Sequence, residues 1–331
     1  MARKQELEVE GRKVPVSNLD KVMYPADGVT KADVIDYYVR VSPYLLPHFK
    51  DRPVTLVRYP DGVGGEHFYE KNAPAFTPEW VQTVSVPRHA GGPEIRYVLI
   101  NDVATLVWCA NLASLELHPF LHRATHLDRP TSVVFDLDPG EGADILKCAQ
   151  VAFVLRDLLE KHQLKSFPKV SGSRGLQIYV PLNSPVTYES TRPFARTVAE
   201  FLAREHPDQI VAEMAKAARA RKVFIDWSQN SDFKTTVGVY SLRAKSAHPF
   251  VSMPVTWDAL SRAMKKQDRE GLYFQPKAAL DHLKRVGDLF APVLKLKQSV
   301  PAGLAAQLGA TGSATARSPK PVQAYRVKRK L

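Results

Sequence analysis

Two aspartates, Asp136 and Asp138, interrupt an apolar run that reads Val-Val-Phe-Asp-Leu-Asp-Pro-Gly. Side chains in a β-strand alternate between faces, so a strand here places both carboxylates on one face and Phe135 and Leu137 on the other. Two like charges beside a hydrophobic layer are costly unless a positive group lies between them. Aspartate oxygens are ligands that suit magnesium or manganese. Alone, the pattern is also typical of an Asp-Pro-Gly turn at a strand end. Other residues of the chain must therefore distinguish a metal site from such a turn.

A third acid comes from a distant part of the chain. Asp226 follows three apolar residues in Val-Phe-Ile-Asp-Trp, and it therefore takes the polar phase of another short strand. Three carboxylates that strands bring together can hold two metal ions about 4 Å apart, as two-metal phosphoryl transfer requires. Asp136, Asp138 and Asp226 are therefore the predicted catalytic residues and metal ligands.

Groups that bind phosphate accompany these acids. The loop Ser-Gly-Ser-Arg-Gly at 171–175 separates two predicted strands, and its glycines let backbone N–H groups converge on an anion. Such a loop is weak evidence by itself, because Ser/Gly turns between strands are common. Basic and amide side chains also follow Asp226, where they can orient a triphosphate and offset its charge. The predicted nucleotide contacts from these stretches are Ser171, Arg174, Gln229, Lys234 and Arg243.

The N-terminal third carries a second group of cations and aromatic residues. Asn18, Lys21 and Lys31 flank a Tyr-Pro turn, and Lys31 opens a predicted helix whose free N–H groups also favour an anion. Further along, the aromatic pair Phe-Tyr follows a cation, which suits stacking on nucleic-acid bases. Core packing is the alternative for that pair, as it is for a histidine in Leu-Glu-Leu-His-Pro. The residues concerned are Arg58, Phe68, Tyr69 and His118.

The composition is that of a globular protein with a polyanionic partner. Of 331 residues, 44% are hydrophobic and 24% charged, and the formal net charge is +12. Such a surplus favours nucleic acid, because each phosphate that the protein neutralises releases counterions. There is no apolar run of membrane-span length, no secretory signal, and no metal or disulfide spacing of the two cysteines. We therefore expect a cytoplasmic protein with a basic, disordered tail over 299–331.

Hydrophobic periodicity predicts a mixed α+β architecture without internal repeats. A capping box at Thr30 and Asp33 begins a helix that Pro43 and Pro47 should end, and Asn101 should cap the next helix. Further helices are predicted at 189–205, 210–221, 256–270 and 277–292. Further strands are predicted at 54–58, 96–100, 178–182 and 235–242.

These stretches, in this order, resemble the polymerase domain of bacterial ligase D, a branch of the archaeo-eukaryotic primase superfamily. Its three motifs are similar to Phe-Asp-Leu-Asp-Pro-Gly at 135–140, Ser-Gly-Ser-Arg-Gly-Leu at 171–176 and Val-Phe-Ile-Asp-Trp-Ser-Gln-Asn at 223–230. Its N-terminal signature is similar to Asn-Leu-Asp-Lys-Val-Met-Tyr-Pro at 18–25, Asp-Arg-Pro-Val-Thr at 51–55 and Glu-Lys-Asn-Ala-Pro at 70–74. The match covers nearly the whole body of the chain, and several motifs in order are highly specific.

The resemblance implies a two-lobed primase-like fold with the active-site cleft between mixed sheets. It implies an N-terminal α/β lobe at about 1–125 and a catalytic lobe, similar to an RNA-recognition-type fold, at about 126–298. It also implies a template-directed DNA/RNA polymerase that fills short gaps and extends broken ends in repair. Such enzymes use two manganese or magnesium ions, prefer ribonucleoside triphosphates and act with the bacterial nucleoid as monomers.

The resemblance also implies residue roles. Asp136, Asp138 and Asp226 would hold the metals. The incoming nucleotide would contact His118, Ser171, Arg174, Gln177, Gln229, Lys234 and Arg243. A downstream DNA 5′-phosphate would bind Asn18, Lys21 and Lys31, and the template would stack on Phe68 and Tyr69 beside Arg58.

Two departures from the family pattern bear on function. The family often has a histidine six residues after the serine of the second motif, whereas this chain has Gln177, which carries no titratable proton. No ligase or nuclease segment is visible, so we expect a polymerase that serves a separate DNA ligase, with Ku as a further candidate partner. The alternatives are a catalytically weak 5′-phosphate-binding module, a haloacid dehalogenase-like phosphatase and a two-metal nuclease, each of which leaves part of the pattern unexplained.

Overall fold

A computed structural model of the chain describes residues 4–88 and 91–301, together with Gly303, Leu304 and Leu308. The tail predicted over 299–331 therefore lies almost entirely outside the described residues. Within them, no helix is both long enough and apolar enough to cross a membrane.

Runs of strands are separated by helices along the described part of the chain, which agrees with the mixed α+β prediction. The strands there are β1 (Lys4–Val9), β2 (Arg12–Ser17), β3 (Val22–Tyr24), β4 (Val29–Thr30), β5 (Pro53–Arg58), β6 (Phe68–Glu70), β7 (Thr83–Val86), β8 (Ile95–Leu99), β9 (Ser114–Pro119), β10 (His122–Arg123), β11 (His126–Pro130), β12 (Ser132–Pro139), β13 (Phe167–Val170), β14 (Leu176–Pro181), β15 (Ile210–Val211) and β16 (Val223–Asp226). The helices are α1 (Lys31–Phe49), α2 (Val103–Asn111), α3 (Ile145–Lys161), α4 (Tyr188–Glu205), α5 (Trp257–Lys266), α6 (Pro276–Val286) and α7 (Ala291–Lys295), with 3-10 turns at Lys216–Arg219 and Glu270–Leu272.

Two five-stranded sheets form the body of the molecule. The C-terminal sheet has the strand order β13-β14-β12-β16-β15, and the N-terminal sheet has the order β6-β5-β8-β7 with β9 also paired to β5. Helices α3 and α4 pack against the C-terminal sheet. Val133, Val134, Phe135 and Leu137 are fully buried on β12, as the central strand of a covered sheet requires.

Helix α1 begins where the sequence predicts but ends later. Thr30 and Asp33 form the predicted capping box. The helix then continues through Pro43 and Pro47 to Phe49, so the prediction that these prolines end it is wrong. Pro43 cannot donate to the carbonyl one turn earlier, and the Ser42 hydroxyl binds that carbonyl instead at 2.7 Å. Burial of the last turn against the core maintains the helix beyond both prolines.

Helix α2 is capped by Asp102, whose carboxylate accepts the Thr105 N–H at 2.7 Å. The prediction of Asn101 as the cap is therefore wrong by one residue. Asn101 instead binds Asp51, accepting its backbone N–H at 2.7 Å and donating to its carboxylate at 3.0 Å. The side chain thus fixes a tight corner at which Asp51 has a positive φ of 59°.

The helix predicted over 210–221 is absent. Ile210–Val211 form β15, which pairs in parallel with β16, and only Lys216–Arg219 make a 3-10 turn. Both residues of β15 are buried, so covering the sheet edge outweighs the local preference for helix.

The strand predicted over 235–242 is also wrong, because this segment changes partner along its length. The Gly238 N–H donates to Leu117 O on β9 at 2.9 Å, whereas the Tyr240 N–H donates to Ser252 O at 2.7 Å. Tyr240 has a positive φ of 64°, which breaks the extended backbone. The segment therefore joins the two sheets without belonging to either.

Asn230 fixes the chain that follows β16. This side chain is fully buried, accepts the Val134 N–H at 2.9 Å, and donates to Val134 O at 2.8 Å and Trp227 O at 2.9 Å. Because β12 pairs with β16 only over Asp136–Pro139, the amide of Asn230 satisfies the β12 backbone where this pairing stops.

We expect Asn230→Ala to lower the free energy of unfolding by about 2–4 kcal/mol, because it leaves buried backbone groups without partners. Urea denaturation measures this change. Asn72→Ala is the matched control, since Asn72 is exposed and accepts one backbone hydrogen bond from Arg96. Equal losses in the two variants would contradict the role of Asn230.

Candidate active site

The three predicted metal ligands lie on neighbouring strands. Asp136 and Asp138 share one face of β12, and the register pairs Asp136 with Asp226 on β16 and with Gln177 on β14. Lys169 on β13 is paired in turn with Gln177. Directly paired residues project to the same face of a sheet. Lys169, Gln177, Asp136 and Asp226 therefore form one row across four strands, which we call the acidic row, with Asp138 beside it.

Burial and mutual repulsion oppose ionisation in this row. Burial and the charge of Asp138 raise the pKa of Asp136, while a hydrogen bond from Gln177 and the charge of Lys169 act in the opposite direction. Burial and the charge of Asp226 also raise the pKa of Asp138. A nearby cation would favour the ionised forms. The electrostatics of the row therefore fit a divalent metal ion.

The oxygen ligands of the three aspartates also suit a divalent ion, but those of Asp226 already accept hydrogen bonds. Asp226 accepts hydrogen bonds from the Ser228 N–H at 2.8 Å and hydroxyl at 2.5 Å, and from Gln229 Nε2 at 3.1 Å. Across the described residues, no three Asp, Glu, His or Cys side chains already converge as a ligand cage. Asp136 and Asp138 suit a hard divalent ion, and Asp226 would join them by exchanging its present partners.

A cleft of about 470 Å³ opens over the acidic row. The predicted site residues in its lining are Tyr69, His118, Asp136, Asp138, Ser171, Arg174, Gln177, Gln229 and Arg243. The lining also includes Pro139, Ser173, Arg219, Thr235, Thr236 and Val237. Lys234 is not part of this lining, and its ammonium group donates to the hydroxyl of Ser228. Lys234 is thus linked to Asp226 through Ser228, and its contact with the nucleotide stays a prediction.

The Gly/Ser loop at 171–175 forms hydrogen bonds with the hydroxyl of its own Ser171. Ser171 Oγ accepts two backbone N–H groups of the loop, at 3.2 and 3.3 Å, and an anion would have to displace this hydroxyl to reach them. Gly172 has a φ of 71°, and a Cβ there would lie 2.7 Å from Arg243 Cγ. The loop therefore packs tightly against Arg243, while the exposed Arg174 lines the cleft.

Gln177 is almost fully buried beneath the cleft. Its Nε2 donates to Thr236 Oγ1 at 2.8 Å, and its Oε1 has no hydrogen-bond partner among the described residues. The residue that replaces the family histidine thus lies directly beside Asp136 and links β14 to the segment that joins the sheets.

Three functional candidates were missed in the sequence. Glu116 is fully buried and contacts both His118 and Arg243. Lys169 is fully buried, and burial lowers its pKa well below the usual range. Arg219 lines the cleft with its guanidinium 3.7 Å from the Phe224 ring centroid. Glu116 and Lys169 are charged residues inside apolar strands, which is the same signal that identified the aspartates.

The predicted phosphate-binding cations lie together, and neither of them lines the cleft. Burial lowers the pKa of Lys31, and the charges of Lys21 and Arg58 lower it further, so the three are close. Lys31 is buried and donates to two backbone carbonyls at 3.0 and 3.1 Å. Lys21 is partly exposed and pairs with Asp61 at 2.6 Å, next to the exposed Asn18. The patch therefore has one fixed cation and one that can exchange its partner.

The predicted stacking residues lie on β6, at the edge of the N-terminal sheet. Phe68 is 45% exposed and Tyr69 52%, so the alternative of core packing is wrong for both. The Arg58 guanidinium lies 5.1 Å from the Phe68 ring centroid and pairs with Glu70 at 3.0 Å. Tyr69 meets His118 edge-on at 6.3 Å. Aromatic surface thus continues from the edge of the sheet into the cleft.

Comparison with known proteins agrees with this geometry. The chain matches the family model described as "LigD, primase-polymerase domain" over residues 30–290. It is 41% identical over 283 residues to the multifunctional non-homologous end joining protein LigD of Mycolicibacterium smegmatis, across 85% of this chain and 36% of that protein. It is 33% identical over 291 residues to the bifunctional non-homologous end joining protein LigD of Bacillus subtilis, across 87% and 45%. The chain thus spans less than half the length of these relatives.

Among solved structures, the chain is similar to the polymerase domain from Mycobacterium tuberculosis ligase D in complex with DNA. The TM-score is 0.77 at 37% identity, and the match covers 86% of this chain and 98% of that one. This likeness confirms the predicted α+β primase-like fold. The chain therefore belongs to the ligase D primase-polymerase family, a family of nucleotidyltransferase-type DNA polymerases.

Proposed function

We propose that this chain adds nucleotides to DNA ends at short gaps and breaks during repair, by template-directed phosphoryl transfer. The observation that carries the proposal is that Asp136 and Asp138 line one cleft together with His118 and Arg243, while the register pairs Asp226 directly with Asp136. Carboxylates for metal ions and cations for a triphosphate are the two components that such a transfer needs in one place.

The residues of the cleft divide the chemistry between them. Asp136, Asp138 and Asp226 would hold divalent ions, which when bound activate the attacking hydroxyl and stabilise the pyrophosphate leaving group. Arg243 and Arg174 bind and orient the triphosphate. Ser171, Gln229 and His118 supply further hydrogen bonds. Positioning and charge stabilisation account for most of the catalysis in phosphoryl transfer.

The DNA would follow the surface beside the cleft. Lys21 and Lys31, with Asn18, bind the 5′-phosphate on the far side of a gap. Phe68 and Tyr69 stack on template bases, because exposed rings offer a sequence-tolerant surface. Support comes from the exposure of both rings and from the proximity of the two lysines. The related M. tuberculosis domain was solved in complex with DNA.

The finer specificity follows the family resemblance. We propose ribonucleoside triphosphates as the preferred substrates, manganese or magnesium as the ions, and a monomer as the active form. The names of the relatives place them in non-homologous end joining. Ku and a separate DNA ligase are therefore the proposed partners, with gap or excision repair as a second setting.

A catalytically weak 5′-phosphate-binding module is the second candidate. The observation that favours it is Gln177, which lies directly beside Asp136 where the family often has a histidine. A haloacid dehalogenase-like phosphatase is less well supported, because it would make Asp226 and the N-terminal cations incidental.

We expect Asp136→Ala and Asp226→Ala each to lower primer extension at least about a hundredfold, because each removes a carboxylate from the acidic row. The assay is extension on a gapped duplex with a 5′-phosphate, comparing ribo- and deoxyribonucleotides in manganese and in magnesium. Asp128→Ala, at an exposed acid on β11, is the control. Unchanged extension in either variant would contradict the metal assignment.

We expect Lys21→Ala to remove most of the preference for a 5′-phosphorylated gap, about tenfold in affinity, since it deletes a charge-assisted contact. Fluorescence anisotropy with phosphorylated and unphosphorylated duplexes measures the preference. Lys13→Ala removes an exposed cation of β2, whose ammonium lies 3.9 Å from Glu6 Oε2, and should leave the preference unchanged. If Lys21→Ala combined with Lys31→Ala still discriminates, the phosphate site lies elsewhere.

The second candidate makes a prediction of its own. If Gln177 limits the chemistry, Gln177→His should raise kcat severalfold while the KM for the nucleotide stays constant, because the new side chain can exchange a proton. Single-turnover extension separates the two quantities. An unchanged or lower kcat would show that the site is adapted to glutamine.

A further inference from the structure

We propose that Glu116 is the positioning residue of the nucleotide site, where one buried carboxylate holds His118 and Arg243 side by side. The proposal rests on the proposed function and names a residue that the family motifs in this sequence do not contain. Glu116 is placed on β9, two residues before His118, so both side chains project from the same face of that strand.

The contacts use both oxygens of the carboxylate. Glu116 Oε2 lies 2.8 Å from His118 Nε2 and 3.1 Å from Arg243 Nη1, and Oε1 accepts the Ala244 N–H at 2.9 Å. Glu116 is fully buried, whereas the side chains of His118 and Arg243 keep 12% and 11% exposure and line the cleft. One hidden anion therefore supports two groups that face the substrate.

Electrostatics explain why such an anion is needed. Burial acts to raise the pKa of Glu116, but the hydrogen bond from His118 and the charge of Arg243 lower it to about 2, so the carboxylate is charged at neutral pH. Burial acts to lower the pKa of His118, and Glu116 opposes that change. Two neighbouring cation-forming groups would otherwise repel each other, and a fixed charge between them keeps both in place.

The Arg243 guanidinium is held by the Glu116 carboxylate. Glu116 is its ion-pair partner within the described residues, and Arg243 Nε has no hydrogen-bond partner there. Its backbone is fixed separately, because Arg243 O accepts the buried Tyr24 hydroxyl at 2.9 Å. The Arg243 N–H also donates to Phe250 O at 2.8 Å. Glu116→Gln keeps an amide oxygen that can accept the Ala244 N–H, so loss of the charge would release the guanidinium while these backbone contacts hold the chain.

Glu116→Gln is the decisive variant, and Asp288→Asn is its matched control. Asp288 is also a largely buried carboxylate that contacts a histidine, His48 Nε2, at 2.8 Å, but it lies outside the cleft lining. The measurement is equilibrium binding of a fluorescent ATP analogue to the full chain, with thermal melting of each variant and binding of a 5′-phosphorylated gapped duplex in parallel.

We expect Glu116→Gln to weaken analogue binding at least about tenfold and to raise the KM for the nucleotide by a similar factor. Binding of the gapped duplex should stay unchanged. Asp288→Asn should lower the melting temperature and leave analogue binding intact. Equal analogue binding in Glu116→Gln and the unsubstituted chain would overturn the proposal. So would equal weakening in both variants, which would show a structural role only.

Two further measurements separate misfolding of the variant from loss of positioning, and failure of this proposal from failure of the proposed function. If Glu116→Gln does not fold, Glu116→Asp decides, because it keeps the charge but is one methylene too short to reach both partners. Weaker analogue binding at an unchanged melting temperature supports positioning, and unchanged binding refutes it. Absence of primer extension by the unsubstituted chain would refute the proposed polymerase function, whereas the binding comparison would still test Glu116.

Discussion

The pairing of β12 with a strand on each side is the constraint on which the site depends. It sets Asp136 between Gln177 and Asp226, so sheet hydrogen bonding itself assembles the carboxylates. The cost is a set of like charges that burial makes harder to ionise. Neighbouring groups offset that cost. Ser228 and Gln229 donate hydrogen bonds to Asp226, and His118 and Arg243 line the opposite wall of the cleft.

That opposite wall belongs to the other sheet. His118 and Glu116 come from β9 and Tyr69 from β6, whereas the acids come from β12 and β16. Arg174 reaches the cleft from the loop between β13 and β14, so the nucleotide site draws on both sheets, with Tyr69 and His118 as the contribution of the N-terminal sheet. The site is therefore built between two sheets, with Arg243 directly after the segment at 235–242 that joins them.

Much of the site could be predicted because strand alternation is a local rule. It identified Asp136, Asp138 and Asp226 as acids on polar phases of apolar strands. The same rule applies to Glu116, but a single carboxylate next to a histidine gives no hint of the distant arginine it binds. The continuation of α1 through its prolines could not be predicted, because it depends on a serine hydroxyl and on burial of the last turn. The path of the segment at 235–242 could not be predicted either, because its hydrogen-bond partners come from two different parts of the structure. Local propensity has no information about such partners.

The connecting segment also limits how the cleft can move. It is bonded to β9 through Gly238 and Leu117 at 2.9 Å, and to the chain beside β13 through Tyr240 and Ser252 at 2.7 Å. Backbone hydrogen bonds between Val170 on β13 and Met253 continue this attachment. A hinge would have to break several of these backbone hydrogen bonds. We therefore expect substrates to enter a cleft of fixed width, with side chains such as Arg174 adjusting in place of domain closure.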